Sequence, residues 1–232
     1  RNNRIRKTWS YWNTYSHPFR DLEMEPNPQL KIKNNELTIL NCSDYNYCSI
    51  DSYDFDKYVI AKIDSCTNIK LCFEKSINDI KEMSDGFHLN INNDTLKTKY
   101  IFDSRPNSKS GDMKQVFKGI FVEFKEPLKD FVPSLMDFRN KDEFHFIYSL
   151  PIGGNRYLFE STYYSSTKKD KTKMTHDVHE YIKDNHNADY SVIRDEYGEI
   201  PLSTNVNFNN QDSNIIKIGI PAGSTRASTG YT

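Results

Sequence analysis

Residues 144–165, FHFIYSLPIGGNRYLFESTYYS, constrain this chain most. Phe144, Phe146, Tyr148 and Leu150 alternate with His145, Ile147 and Ser149, and the run ends in Pro151-Ile152-Gly153-Gly154-Asn155. A period of two closed by a Pro/Gly/Asn cluster predicts a strand and a turn. The second half alternates again, with Tyr157, Phe159 and Tyr163 on one side and Leu158, Glu160 and Thr162 on the other. Glu160 falls mid-strand among aromatics, and Arg156 is the nearest cation in sequence. Two placements fit that spacing: a carboxylate facing water on a half-buried sheet, or a carboxyl in an apolar cavity, kept protonated by desolvation.

Other segments predict a mixed α/β (α+β) chain. Phe55, Val59 and Ile63 lie on one helical face after the capping pair Asp51-Ser52, predicting a helix over 53–63. Met174, Val178, Tyr181 and Ile182 predict a second amphipathic helix. Strands are expected at 36–40, 47–50, 68–73, 77–83, 87–91, 96–102, 115–124, 135–139, 190–194 and 215–219. Turn signals such as Asp85-Gly86 and Asn92-Asn93-Asp94 separate some of them.

Charge excludes some partners. The 31 Lys and Arg nearly balance the 32 Asp and Glu, so no basic excess points to nucleic acid. Cys42, Cys48, Cys66 and Cys72 form no C-x-x-C and have no histidines at zinc-ligand spacing, so buried free thiols are expected. His176, His179 and Glu180 are too few at helical spacing for a metal site, and none is expected. No apolar run reaches the roughly 18–20 residues that span a bilayer. Lys168, Lys169, Lys171 and Lys173 could touch anionic headgroups or merely be exposed.

The run FIYSLPIGGNRYLFESTYYS resembles the signature segment of the flavoprotein lycopene cyclases. The matching residues are Leu150-Pro151, Arg156, Leu158-Phe159, Glu160 and Ser161-Thr162. Further likenesses follow the same order along the chain. They are Thr8-Trp9, Tyr47-Cys48-Ser49-Ile50, a strand end at Asp103-Ser104-Arg105, Gln115-x-Phe117-x-Gly119, and Glu196-x-Gly198-x-x-Pro201. The last is Gly219-x-x-Ala222-Gly223 followed by Ser228-Thr229-Gly230-Tyr231. No G-x-G-x-x-G occurs, so the resemblance implies that the first dinucleotide-binding unit lies upstream.

The resemblance implies an FAD-binding, Rossmann-like flavoprotein fold with an antiparallel-sheet substrate domain. Residues 1–105 would be the remainder of the FAD-binding domain, 106–194 the substrate domain and 195–232 a return to the FAD-binding domain. It implies acid-initiated, redox-neutral cyclisation of lycopene, with Glu160 as the acid, reduced FAD as cofactor and NADPH as its reductant. Thr8, Trp9, Asp103, Arg105, Gly219, Ala222, Gly223, Ser228, Thr229, Gly230 and Tyr231 would contact the flavin. Phe146, Tyr148 and Tyr163 would offer π-faces to a cation. Ser161 stands where the family has a second acid, so Asp137 or the flavin would have to serve instead. The protein would sit peripherally at the cytoplasmic side of a bacterial membrane. A flavin monooxygenase or reductase on an apolar substrate, or an inactive carotenoid-binding paralogue, are the competing readings.

Overall fold

The computed structural model describes residues 6–92, 94–105, 113–140, 142–202 and 214–225. Their elements are β1 (Thr8–Trp12), β2 (Gln29–Lys33), β3 (Leu37–Asn41), β4 (Tyr47–Asp51) and α1 (Ser52–Asp64), then β5 (Ile77–Met83), β6 (Gly86–Ile91), β7 (Asp94–Thr98) and β8 (Ile101–Asp103). There follow β9 (Met113–Phe124), β10 (Ser134–Asn140), β11 (His145–Pro151), β12 (Arg156–Ser165), α2 (Lys171–His186), β13 (Tyr190–Leu202) and β14 (Ile215–Lys217).

The chain divides into two units, Arg1–Val59 with Met113–Ile200, and Ile60–Asp112 with Pro201–Thr232. This differs from the expected boundaries at 105/106 and 194/195. Strand pairing is the reason: β2 joins β10 in parallel, drawing the N-terminal segment onto the sheet, and β13 runs unbroken through residue 194.

A seven-stranded sheet in the order β13-β9-β12-β11-β10-β2-β3 dominates the first unit. Its centre is the hairpin read from the sequence, with Tyr148 opposite Glu160 and Leu150 opposite Leu158. The hairpin closes through Arg156 N–H donating to the Gly153 carbonyl at 3.2 Å. Gly153 (φ 103°) and Gly154 (φ 62°) take backbone conformations that side chains resist. β12 also pairs along its whole length with β9, placing Gly119 opposite Glu160.

α2 covers one face of this sheet. Asp170 caps its start by accepting from the Thr172 N–H at 2.8 Å, and Asn187 ends it in a left-handed conformation. Val178, Tyr181 and Ile182 pack with Ile120, Val122, Phe124, Ile147, Tyr157 and Phe159, and Met174 packs with Val116 and Tyr163. At roughly 1.5–3 kcal/mol per buried large side chain, this stripe drives the docking. Separately, β1 pairs with β4 in a two-stranded ribbon.

In the second unit β5, β6 and β7 form an antiparallel sheet, and β8 pairs in parallel with β14. Phe87, Leu89 and Ile101 form its core with Ile77, Ile80, Ile91 and Ile215. The strand expected at 96–102 divides, because Thr98 pairs with Phe87 whereas Ile101 pairs with Ile215. The strand expected at 68–73 does not form: Ile69 and Leu71 are exposed, and among the described residues no strand pairs with this segment. Cys42 and Cys48 are buried as expected, whereas Cys66 and Cys72 are exposed; all four thiols are free.

Candidate functional site

Pairing parity sorts the hairpin's side chains. Tyr157, Phe159, Ser161 and Tyr163 face α2: the first two join its core, and Ser161 and Tyr163 donate to Asp177 Oδ2 at 3.2 and 2.9 Å. Glu160 and Thr162 face the other way, together with their partners Tyr148 and Phe146.

On that face Glu160 is buried and accepts a 2.8 Å hydrogen bond from Thr162 Oγ1. Glu196, on β13, is buried beside it. Gly119 makes the approach feasible: a Cβ there would lie 3.0 Å from Glu196 Cγ and 3.4 Å from its Oε1. Burial first, and then the charge of Glu196, push the Glu160 carboxyl up to about 8 against the pull of Thr162 and Lys7. Burial also raises Glu196, opposed by Lys7 and Arg194 and assisted by Asp51. The two carboxyls together retain a proton at neutral pH.

Cations gather around Glu196. Arg194 donates to its Oε2 at 3.5 Å and stacks 3.2 Å over the Phe121 ring. Lys7 Nζ donates to the Tyr197 carbonyl at 2.8 Å and lies 4.9 Å over Phe117. Buried Asp51 pairs with Arg6 at 2.6 Å and sits 4.0 Å from Arg194.

The same face carries an aromatic wall. Phe138 lies 5.3 Å from Phe144 and 5.8 Å from Phe146, and Tyr164 stacks on Phe144 at 4.7 Å. Tyr148 is half-buried, with its hydroxyl 2.9 Å from that of Tyr47. The Tyr164 hydroxyl is buried without a hydrogen-bond partner among the described residues.

Two expectations need correction. Tyr163 does not share a face with Glu160: its separation of three residues along a strand puts it under α2, stacked on His145 at 4.0 Å. Tyr164 and Phe138 occupy the wall instead. Nor does Asp137 approach Glu160, because β10 turns it toward α2, where Tyr181 donates to it at 3.1 Å. Ser161 is likewise held on the α2 side, 3.0 Å from His145 Nε2, so an acid at that position would not face Glu160. The second carboxyl on the Glu160 face is Glu196, which spacing alone did not single out. A glycine inside the β9 pattern was the available signal, since such a glycine marks close approach.

The residues expected at the cofactor fall in both units. In the first, the Thr8 hydroxyl is buried without a partner among the described residues, and half-exposed Trp9 packs edge-on against Phe55 at 5.2 Å. In the second, the parallel pair β8/β14 brings Asp103 to Arg105 (2.8 Å) and Lys217 (2.7 Å), and these cations hold its carboxyl far below the usual range. Gly219 follows with φ 66° and open space where a Cβ would lie. The N–H groups of Ala222 and Gly223 turn back onto the carbonyls of Gly219 and Ile220. The Thr225 hydroxyl is buried and has no partner among the described residues. Ser228, Thr229, Gly230 and Tyr231 lie outside the described residues. His176 and Glu180 form an exposed pair at 3.4 Å on α2.

The family described as lycopene cyclase protein matches residues 2–232. The chain belongs to the lycopene cyclase family. No curated protein matches this chain. Among solved structures, this family member is similar to a geranylgeranyl bacteriochlorophyll reductase-like protein from Thermoplasma acidophilum. The identity is 11 %, the TM-score 0.70, and the match covers 91 % of this chain and 58 % of that one. The p-nitrophenol 4-monooxygenase PnpA from Pseudomonas putida DLL-E4 matches at 11 % identity and TM-score 0.61, covering 86 % and 57 %. CmlS, a flavin-dependent halogenase, matches at 9 % identity and TM-score 0.60, covering 88 % and 44 %. The chain therefore shares the mixed α/β fold of these proteins, a flavin-dependent halogenase among them, and spans roughly half the length of each solved chain.

Proposed function

We propose that this lycopene cyclase family member acts in the FAD-dependent, redox-neutral cyclisation of linear carotenes such as lycopene, with Glu160 as the proton donor. The observation that carries the reading is a buried carboxyl pushed up to about 8 on the aromatic face of a sheet. An alkene is a weak base, so its protonation needs a neutral acid kept from water and a wall that tolerates positive charge.

In this reading Glu160 gives its proton to an alkene carbon of the carotene end, and the π pair of that alkene forms the new C–H bond. The neighbouring double bond closes the ring onto the resulting tertiary cation. A ring C–H proton then leaves to the Glu160 carboxylate, and its bonding pair becomes the ring double bond. Proton count and oxidation state are unchanged. Phe146, Tyr148, Phe138 and Tyr164 offer π-faces to the intermediate cation.

Within the second unit, the orphaned Thr225 hydroxyl and the open, left-handed Gly219 beside Arg105 and Lys217 fit an anionic, hydrogen-bonding group. In that unit Arg105, Lys217 and the loop at Gly219, Ala222 and Gly223 would hold FAD. When bound and kept reduced by NADPH, it supplies delocalised negative charge against the cation. Because carotenes partition into lipid, the protein would work peripherally at the cytoplasmic side of a membrane. Among the described residues no helix is long and apolar enough to cross one.

The full gene expressed in lycopene-accumulating cells should yield cyclic carotenes. Glu160→Gln should lower that yield by at least about 100-fold while flavin stays bound. Full activity in that variant would refute the acid role.

A further inference from the structure

Nothing in the sequence links Glu196 to Glu160: they are 36 residues apart, on strands separated in the sheet by β9. Their meeting depends on Gly119, the β9 residue directly opposite Glu160. Glu196 lies over that glycine, in space that any other side chain would fill. The surroundings of the two carboxyls differ. Glu160 has Thr162 as its hydrogen-bond donor and Lys7 as a distant cation. Glu196 is bonded to Arg194 and attracted by Lys7 as well, with Asp51 and its partner Arg6 behind.

We propose that Glu196 is the positioning residue of the acid: its carboxylate, anchored by Arg194 and Lys7 and admitted by Gly119, keeps the proton of the carboxyl pair on Glu160. Like charges in one dry site resist double ionisation, so the pair holds one proton. That proton resides on the member with fewer cations around it. Glu196 is thereby the charged member at neutral pH, and Glu160 is the neutral one. A second acid therefore reaches Glu160 from β13, on the face of the sheet that position 161 does not share. The inference rests on the acid role proposed for Glu160, but its test reads the carboxyl directly.

The experiment is infrared spectroscopy of the full flavin-loaded protein across pH. The carboxylic-acid C=O band of Glu160 is identified by its loss in Glu160→Gln. Removing the neighbouring charge with Glu196→Gln should lower the pH at which that band disappears by about one unit or more, a tenfold change in proton affinity. Glu196→Asp, which keeps the charge, should restore most of it. The alkaline limb of the cyclisation pH profile should move down in parallel. Gly119→Ala, which displaces Glu196 without removing any charge, should shift the band in the same direction and serves if Glu196→Gln fails to fold. An unmoved band in a folded Glu196→Gln or Gly119→Ala protein would overturn the proposal, as would a wild type with no protonated Glu160 at neutral pH. Lycopene left uncyclised by a wild type whose band still shifts would count against the substrate reading alone, and would support the coupling of the two carboxyls.

Discussion

Replacing Glu160 by Gln should make the protein more stable, and increasingly so as pH rises. The folded carboxyl is raised from an ordinary 4.5 to about 8. A raised carboxyl contributes its stability fully below the ordinary value and loses it as pH climbs through the folded one. At about 1.4 kcal/mol per pH unit, the whole rise corresponds to about 5 kcal/mol, of which about 3 kcal/mol is already lost at pH 7. That is a large fraction of the roughly 5–15 kcal/mol that holds a typical domain together. Glutamine is neutral throughout and can still accept from Thr162. The assay is urea unfolding of wild type and Glu160→Gln between pH 4.5 and 9, followed by tryptophan fluorescence. Both tryptophans of the chain, Trp9 and Trp12, lie in β1 of the unit that contains Glu160, so they report its unfolding. The difference between the two stability curves should be small at the acid end and grow by about 5 kcal/mol in favour of Gln by the alkaline end. Parallel curves would mean that Glu160 is ionised in the folded protein at neutral pH, which would refute the desolvation argument.

Two further substitutions probe the same sheet. Gly198→Ala would drive a Cβ into the Phe117 ring, with Cε1 at 2.7 Å, and should cost about 1–3 kcal/mol, seen as a lower urea midpoint. Ser161→Glu, which restores the family's usual acid, would place a carboxylate beside Asp177 beneath α2 rather than beside Glu160. It should cost about 2–4 kcal/mol in the same assay and give no increase in cyclic carotene; a gain in yield would contradict the face assignment.

The sequence by itself determined the local elements and the family. Period-two runs placed β11, β12 and β9, the Pro/Gly/Asn cluster placed their turn, and the apolar stripe of Met174, Val178, Tyr181 and Ile182 placed α2. These follow from short-range sterics and from the need of each element to bury one face, which a single segment already encodes. Alternation also separated Glu160 from Tyr163. Tyr163 was expected at the substrate from the resemblance alone, against that alternation, and alternation did not say which face α2 would cover. Only the tertiary structure decided that, and it alone decided the company Glu160 keeps. Strand order β13-β9-β12 is non-sequential, and it brings Glu196 over Gly119 and, from the N-terminal segment, Lys7 and Asp51 to the same buried charge cluster. Whether a mid-strand glutamate is a solvated anion or a neutral acid depends on the dielectric and the charges around it. Those are set by residues far away in the chain, which no local spacing can reveal.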